Sequence, residues 1–162
     1  SDTGSEYVRE TYIESDLELL FSPTYIPNDS ERVSLYRELD KMEEERDILA
    51  FTERLKDRFG KVPKEGKELI RVVRLRRIAK TLGMEKVILK KGQMSIFLVS
   101  NSESPYYESE AFDKLLGFIQ KHPRECTLRE QNGKRSIVIK NVPTVEVACG
   151  YLDEIEKTQI QK

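Results

Sequence analysis

The sequence has very little histidine and cysteine, two residue types on which enzymes often depend. Its 162 residues include one histidine, His122, and two cysteines, Cys126 and Cys149. The neighbours of His122 supply neither a partner for a general base nor a set of zinc ligands. The cysteines lie in separate segments without a CxxC spacing, which predicts two buried thiols in a reducing, cytoplasmic protein.

Several longer motifs are missing as well. No apolar run approaches the roughly 20 residues that span a bilayer, and no secretory signal is present. There is no GxxxxGK[ST] phosphate loop, no nucleophile elbow and no Ser-x-x-Lys pattern. The acidic run at Glu43–Glu45 does not form a catalytic pair, because consecutive helical positions point about 100° apart. We therefore predict no catalytic, metal or cofactor site in this chain.

Charge is abundant and unevenly distributed. Charged residues make up 35% of the chain, yet the net charge is only −1. Residues 1–53 carry 15 acidic and 5 basic side chains, whereas residues 54–91 carry 4 acidic and 14 basic ones. This asymmetry indicates either ion pairing between neighbouring helices or two faces that bind different partners.

The first half of the chain is predicted to be helical. A helix follows the N-cap residues at 28–30, and a second ends at Gly60 before Pro63. The third helix, at 64–82, is apolar on two sides, so we expect it to be packed on two sides. A weak alternation at 17–21 predicts a short N-terminal strand, and residues 1–15 are expected to form a flexible tail or linker.

The second half alternates hairpins with helices. Strand patterns flank the turns at 90–93 and 131–134, and each hairpin is followed by an amphipathic helix. The predicted class is α+β, a small antiparallel sheet covered by about five helices in the order β-ααα-ββ-α-ββ-α. We expect residues 16–162 to form one domain, with a helical part at 28–83 and a sheet-and-helix part at 84–160.

The third helix carries a dense basic cluster that could track phosphates. Its arginines fall on two flanks of the helix, which favours salt bridges to the acidic helices before it. Nucleic-acid binding through these side chains is the alternative function. The candidate contacts are Arg71, Arg74, Arg76 and Arg77.

Asp57 is the most unusual charge in the sequence. On the helix that buries Phe51 and Leu55 it points away from the apolar stripe, so we expect it to be exposed. It lies in the last turn, where the helix dipole disfavours an acid and favours its neighbour Arg58. An acid placed against local preference indicates a partner.

Four motifs resemble one family. They are YIPN at Tyr25–Asn28, RVSLYREL at Arg32–Leu39, DRFGKVP at Asp57–Pro63 and LIRVVRLRRIAKTLGMEKV at Leu69–Val87. Their order and spacing over residues 16–90 resemble the C-terminal (TRCF) domain of the bacterial transcription-repair coupling factors, the Mfd family. Asn28 stands where that family usually has Asp, and both residues cap helices.

The resemblance implies a regulatory domain without catalytic activity. Coupling factors of this family are ATP- and Mg-dependent DNA translocases that displace stalled RNA polymerase and recruit UvrA for nucleotide-excision repair. Their C-terminal domain docks on a UvrB-like N-terminal module and masks its basic UvrA-binding surface. Asp57 and Arg58 are then candidate contacts by motif, and Glu53, one turn earlier, is a candidate by helical spacing. Charge reversal at Asp57 is expected to raise UvrA binding and basal ATPase activity.

Overall fold

The computed structural model describes residues 4–160, which contain five α-helices and five β-strands in the order β-ααα-ββ-α-ββ-α. This confirms the α+β class and the predicted order. The helices are α1 (Asp29–Asp40), α2 (Glu45–Phe59), α3 (Lys64–Thr81), α4 (Glu110–Lys121) and α5 (Val145–Glu156). The strands are β1 (Tyr12–Ser15), β2 (Met84–Lys90), β3 (Gln93–Leu98), β4 (Cys126–Gln131) and β5 (Lys134–Ile139).

The described chain divides into two compact units, a helical unit at 18–77 and a sheet unit at 4–17 and 78–160. Helix α3 contributes residues to both. The prediction of one domain, with a helical part at 28–83 and a sheet-and-helix part at 84–160, stays a prediction.

Local signals in the sequence set the helix ends of the helical unit. The Asn28 side chain accepts a hydrogen bond from the Glu31 amide and caps α1. Helix α2 stops at Gly60, whose φ of 85° lies in the left-handed region that favours glycine.

On α3, residues on both predicted apolar sides are buried, including Ile70 and Leu75.

An aromatic cluster forms the core of the helical unit. Phe21 is buried and stacks on Tyr36, with ring centroids 5.4 Å apart and planes 8° apart. The Tyr36 hydroxyl also accepts from the Phe21 amide at 2.9 Å. Tyr25 donates a hydrogen bond to the Gly60 carbonyl at 2.8 Å. These contacts attach the irregular segment before α1 to α2 and to the loop after it.

The predicted strand at 17–21 is wrong. Those residues form no regular strand, since Phe21 turns into the aromatic core and its amide and carbonyl both bond to the Tyr36 hydroxyl. The N-terminal strand is instead β1, within the segment expected to be a tail. It pairs in parallel with β2, and the Thr11 hydroxyl donates to the Met84 carbonyl beside it. Strand β1 has only four residues, too few for a clear alternation.

The sheet has the strand order β1-β2-β3-β5-β4 and is mixed, because only the β1–β2 pair is parallel. Both hairpin turns have consecutive positive φ angles, 53° and 72° at Lys91-Gly92 and 54° and 76° at Asn132-Gly133. These are the backbone angles of a type I′ turn, as the sequence predicts for Asn-Gly. Helices α4 and α5 contact each other and bury one apolar face each.

Gly83, two residues after the end of α3, is a position where any side chain would clash with the protein. Its φ is 75°, and a Cβ atom there would lie 2.1 Å from the ring of Tyr106. Tyr106 is completely buried and donates a hydrogen bond to the Leu82 carbonyl at 2.8 Å, so its ring cannot move aside cheaply.

We expect Gly83→Ala to lower the free energy of unfolding by about 3 kcal/mol or more, through backbone strain and the clash with Tyr106. Urea denaturation followed by circular dichroism measures the change. Gly92→Ala is the matched control, because φ there is 72° but the added Cβ meets open space. The loss of stability in this control therefore measures the cost of the left-handed backbone conformation alone, about 1 kcal/mol. Equal losses for the two variants would contradict the steric argument.

Candidate partner interface

Helix α2 separates a buried face from an exposed one. Ile48, Phe51 and Leu55 are buried and join the core of the helical unit. Since residues advance 100° around a helix, positions 46, 50, 53 and 57 point in the opposite direction, and all four are exposed. We call this set, Arg46, Ala50, Glu53 and Asp57, the outer stripe of α2.

Asp57 is exposed, as predicted. Within residues 4–160, its carboxylate has no hydrogen-bond or ion-pair partner. The last turn of a helix is slightly unfavourable for an acid, by about 0.3 kcal/mol or more. Its negative charge is therefore fully available to another molecule.

The other two interface candidates are exposed but already paired. Arg58 forms an ion pair with Glu31 at 2.8 Å, and its guanidinium lies 5.1 Å from the centroid of the Phe59 ring. Glu53 pairs with Lys56 at 3.2 Å. Exposed pairs of this kind contribute little stability and exchange readily for new partners.

Leu49 lies beside the outer stripe and was missed in the sequence analysis. Its side chain is 54% exposed on α2, next to Glu53. The signal was available, because Leu49 is a large apolar residue about 100° from Ile48 and outside the buried stripe. An exposed leucine next to Glu53 gives this surface an apolar contact in addition to its charge.

The arginines of α3 are used within the helical unit. Arg74 holds the Glu45 carboxylate with three nitrogen–oxygen contacts of 2.5–2.9 Å, and Arg77 approaches the same carboxylate at 3.5 Å. Arg76 contacts the Asp40 side chain at 2.9 Å and its carbonyl at 2.6 Å. These bonds confirm the predicted salt bridges to the preceding acidic helices.

The fourth candidate, Arg71, pairs within its own helix, with Glu68 at 3.2 Å. All four guanidinium groups are partly buried, with at most 33% of the side chain exposed. A phosphate backbone would have to displace internal carboxylates to reach them.

Hydrogen bonding from Arg74 lowers the pKa of Glu45 below its usual value of 4.5, with a smaller contribution from Arg77 and against the opposing effect of burial. A lowered pKa means that the ionised carboxylate is favoured in the folded state. Its stabilising contribution is present above the pKa of the unfolded chain and is lost as the pH falls through the folded-state pKa.

The described residues contain no group of three His, Cys, Asp or Glu side chains placed to bind a metal ion. His122 ends α4 and contacts Glu154 at 2.9 Å and Glu125 at 3.9 Å. Cys126 and Cys149 are both buried, and burial raises the pKa of Cys126 to about 11. Among the helices of residues 4–160, none has the length and apolar content needed to cross a membrane.

Comparisons with known proteins agree on one family. A family model described as the TRCF domain matches residues 15–109, more than half of the chain. That range includes residues 16–90, on which the resemblance in the sequence rests, and it contains all four quoted motifs.

Curated relatives named transcription-repair-coupling factor match most of the chain. The protein of Escherichia coli (strain K12) is 28% identical over 121 residues, 74% of this chain, and that of Borreliella burgdorferi is 25% identical over 123 residues, 75% of it. The chain covers 10% of the length of each of these relatives.

A solved crystal structure of the C-terminal domain of a transcription-repair coupling factor has a similar fold. Its TM-score is 0.71, and the match covers 92% of this chain and 94% of that one at 16% sequence identity. This likeness confirms the fold over nearly the whole chain.

We expect Glu45→Gln to lower the free energy of unfolding by about 1 kcal/mol near neutral pH, because it removes a charged, partly exposed pair with Arg74. The difference from the unchanged chain should shrink as the pH falls through the lowered folded-state pKa of Glu45, below which Glu45 is protonated in both folded and unfolded states. Urea denaturation at neutral pH and at a series of decreasing acidic pH values measures it.

Asp57→Asn is the control on the same helix and should change stability by less than about 0.5 kcal/mol, since no described residue bonds to that carboxylate. A Glu45→Gln difference that does not shrink as the pH is lowered would argue against the ion pair as its cause.

Proposed function

The chain belongs to the TRCF domain family, and from this premise we propose that it is the regulatory C-terminal domain of a bacterial transcription-repair coupling factor. In this proposal the domain is non-catalytic and cytoplasmic. It docks on the UvrB-like N-terminal module of the same protein, masks the surface that recruits UvrA and restrains the DNA translocase. ATP, Mg, DNA and RNA polymerase are bound by other parts of the coupling factor.

The observation that carries this proposal is the unpartnered carboxylate of Asp57 on the exposed stripe of α2. A basic UvrA-binding surface on the N-terminal module is complementary to this charge. Glu53 and Arg58 lie about one turn or less from it and form ion pairs at the protein surface. Leu49 adds an apolar contact at the edge of the same surface.

An interface of this composition suits a contact that must open and close. Exposed charge pairs add little affinity but speed association and set orientation. A motor that changes shape during its ATP cycle can therefore release the domain at small energetic cost. Release would expose the UvrA-binding surface.

The alternative function, nucleic-acid binding through α3, has less support. The contacts it needs are engaged by Glu68, Glu45 and Asp40. Nucleic-acid binding through α3 stays a prediction. It can be distinguished from the docking proposal because its ligand is DNA or RNA and not the UvrB-like module.

A titration separates the two. We expect this chain to bind the isolated UvrB-like module of a coupling factor, with an affinity that falls as salt is added. Binding to duplex DNA should be weak at the same salt concentration. Isothermal titration calorimetry measures the first and fluorescence anisotropy the second. Tight, salt-dependent duplex binding that is lost on Arg76→Ala, without binding to the module, would favour the alternative.

In a complete coupling factor, we expect Asp57→Lys to raise UvrA binding and basal ATPase activity, because it reverses the charge facing a basic surface. In the isolated chain the same change should weaken binding to the UvrB-like module about tenfold at low salt.

The matched control is Glu103→Lys, which makes the same charge change at an exposed position in the loop after β3. It should leave UvrA binding, ATPase activity and docking unchanged. Wild-type values for Asp57→Lys in all three assays, with the fold intact by circular dichroism, would remove Asp57 from the interface.

A further inference from the structure

The two faces of the sheet differ sharply. One face buries Val87, Ile96 and Ile137, which are neighbours across three strands and are fully inaccessible to solvent. Because side chains alternate along a strand, the residues between them point to the other side. We call that side the open face, and its residues include Tyr12, Lys86, Phe97, Ser136 and Arg129.

These five residues form one row across the whole sheet. The strand register pairs Tyr12 with Lys86, Lys86 with Phe97, Phe97 with Ser136, and Ser136 with Arg129. Tyr12 is 61% exposed and Phe97 is 37% exposed. Adjacent strands are about 4.8 Å apart, so the two rings stand about 10 Å apart with a lysine between them.

The open face is predominantly basic. Along the strands it carries Lys86, Lys90, Lys134 and Arg129, and a single acid, Glu14. Glu14 contacts the first two of these lysines at 2.9 and 3.6 Å. These pairs are exposed at the surface, so a phosphate group can replace the carboxylate at little cost.

Three residues of this row, including both aromatic ones, line a surface groove. Besides the two aromatic residues and Lys86, the groove is lined by Arg9, Lys134 and Arg135. Two acids, Glu10 and Glu85, also line it, and Glu85 accepts a hydrogen bond from Ser100. Four basic and two acidic side chains line the groove, so its net charge is positive, and one of the acids, Glu10, accepts a hydrogen bond from the Tyr12 hydroxyl at 3.1 Å.

Hydroxyl groups complete the surface. Ser95 and Thr127 share the open face with Ser136, at register positions next to the aromatic row. A hydroxyl side chain both donates and accepts hydrogen bonds, which suits contact with a ribose 2′-hydroxyl.

We propose that the open face binds single-stranded RNA, with bases stacked on Tyr12 and Phe97 and the phosphates held by the surrounding lysines and arginines. Exposed aromatic side chains on the face of a sheet are a common means of holding unpaired bases. Aromatic stacking combined with a basic groove is also typical of proteins that bind single strands with little sequence preference. The surface lies in the sheet unit and uses neither α2 nor the arginines of α3, so it is independent of the docking proposal.

A tryptophan introduced into the row would test base stacking directly. The chain contains no tryptophan, so Phe97→Trp introduces a unique fluorophore. We expect its emission to be quenched as an unlabelled U12 oligonucleotide is added, because a stacked base contacts the indole ring. Leu128→Trp is the matched control, since Leu128 is 45% exposed but points to the other face of the sheet. Its emission should not change, and equal quenching of both variants would overturn the proposal.

Affinity is measured by the anisotropy of fluorescein-labelled U12 at low salt, where we expect a Kd of about 10–100 μM that rises with salt. Tyr12→Ala and Phe97→Ala should each weaken binding about tenfold. Tyr12→Phe should bind nearly as well as the unchanged chain, because it keeps the ring. Val33→Ala, on α1, should have no effect, because Val33 is 44% exposed but lies outside both proposed surfaces.

Two further binding measurements decide which class of ligand the open face binds. A dT12 strand that binds as tightly as U12 would overturn the assignment to RNA. Absence of U12 binding up to about 1 mM protein would overturn single-strand binding altogether, as would U12 binding that survives the double variant Tyr12→Ala/Phe97→Ala. Circular dichroism spectra that match the unchanged chain show that each variant is folded.

Discussion

The ion pair between Arg74 and Glu45 decides how the charge of this protein is used. The guanidinium binds the carboxylate through two of its nitrogens, and Arg77 supports the same carboxylate from the next turn. With Arg76 on Asp40, these bonds join the acidic first segment of the chain to its basic middle segment. Such pairs contribute modest stability, but they determine which charges remain for other molecules.

The charges that remain for other molecules lie at two surfaces with opposite properties. The outer stripe of α2 presents an unpaired acid, Asp57, with an exposed leucine beside it. The open face of the sheet presents lysines and two exposed aromatic rings. The first is suited to a basic protein surface and the second to a polyanion with flat bases. If both proposals hold, the domain binds a protein through α2 and a nucleic acid through the sheet.

The sequence predicted elements well where one residue dictates the backbone. Asn28 caps α1, Gly60 ends α2, and Asn132-Gly133 forms a type I′ turn, because each depends on local chemistry. It failed at the N-terminal strand. Strand β1 exists because β2, more than 70 residues away, offers a sheet edge to four residues. No local pattern carries that information.

The sequence by itself determined the class, the order of elements, the family and the exposure of Asp57. These follow from periodicity, from residues at helix ends and turns, and from motifs that are contiguous in the chain. Only the tertiary structure decided which arginines are paired, that Phe21 belongs to a helical core, and that Tyr12 and Phe97 stand in one row of a sheet. Ion pairs and strand register join residues that are distant in the sequence, so their geometry appears only after the chain has folded.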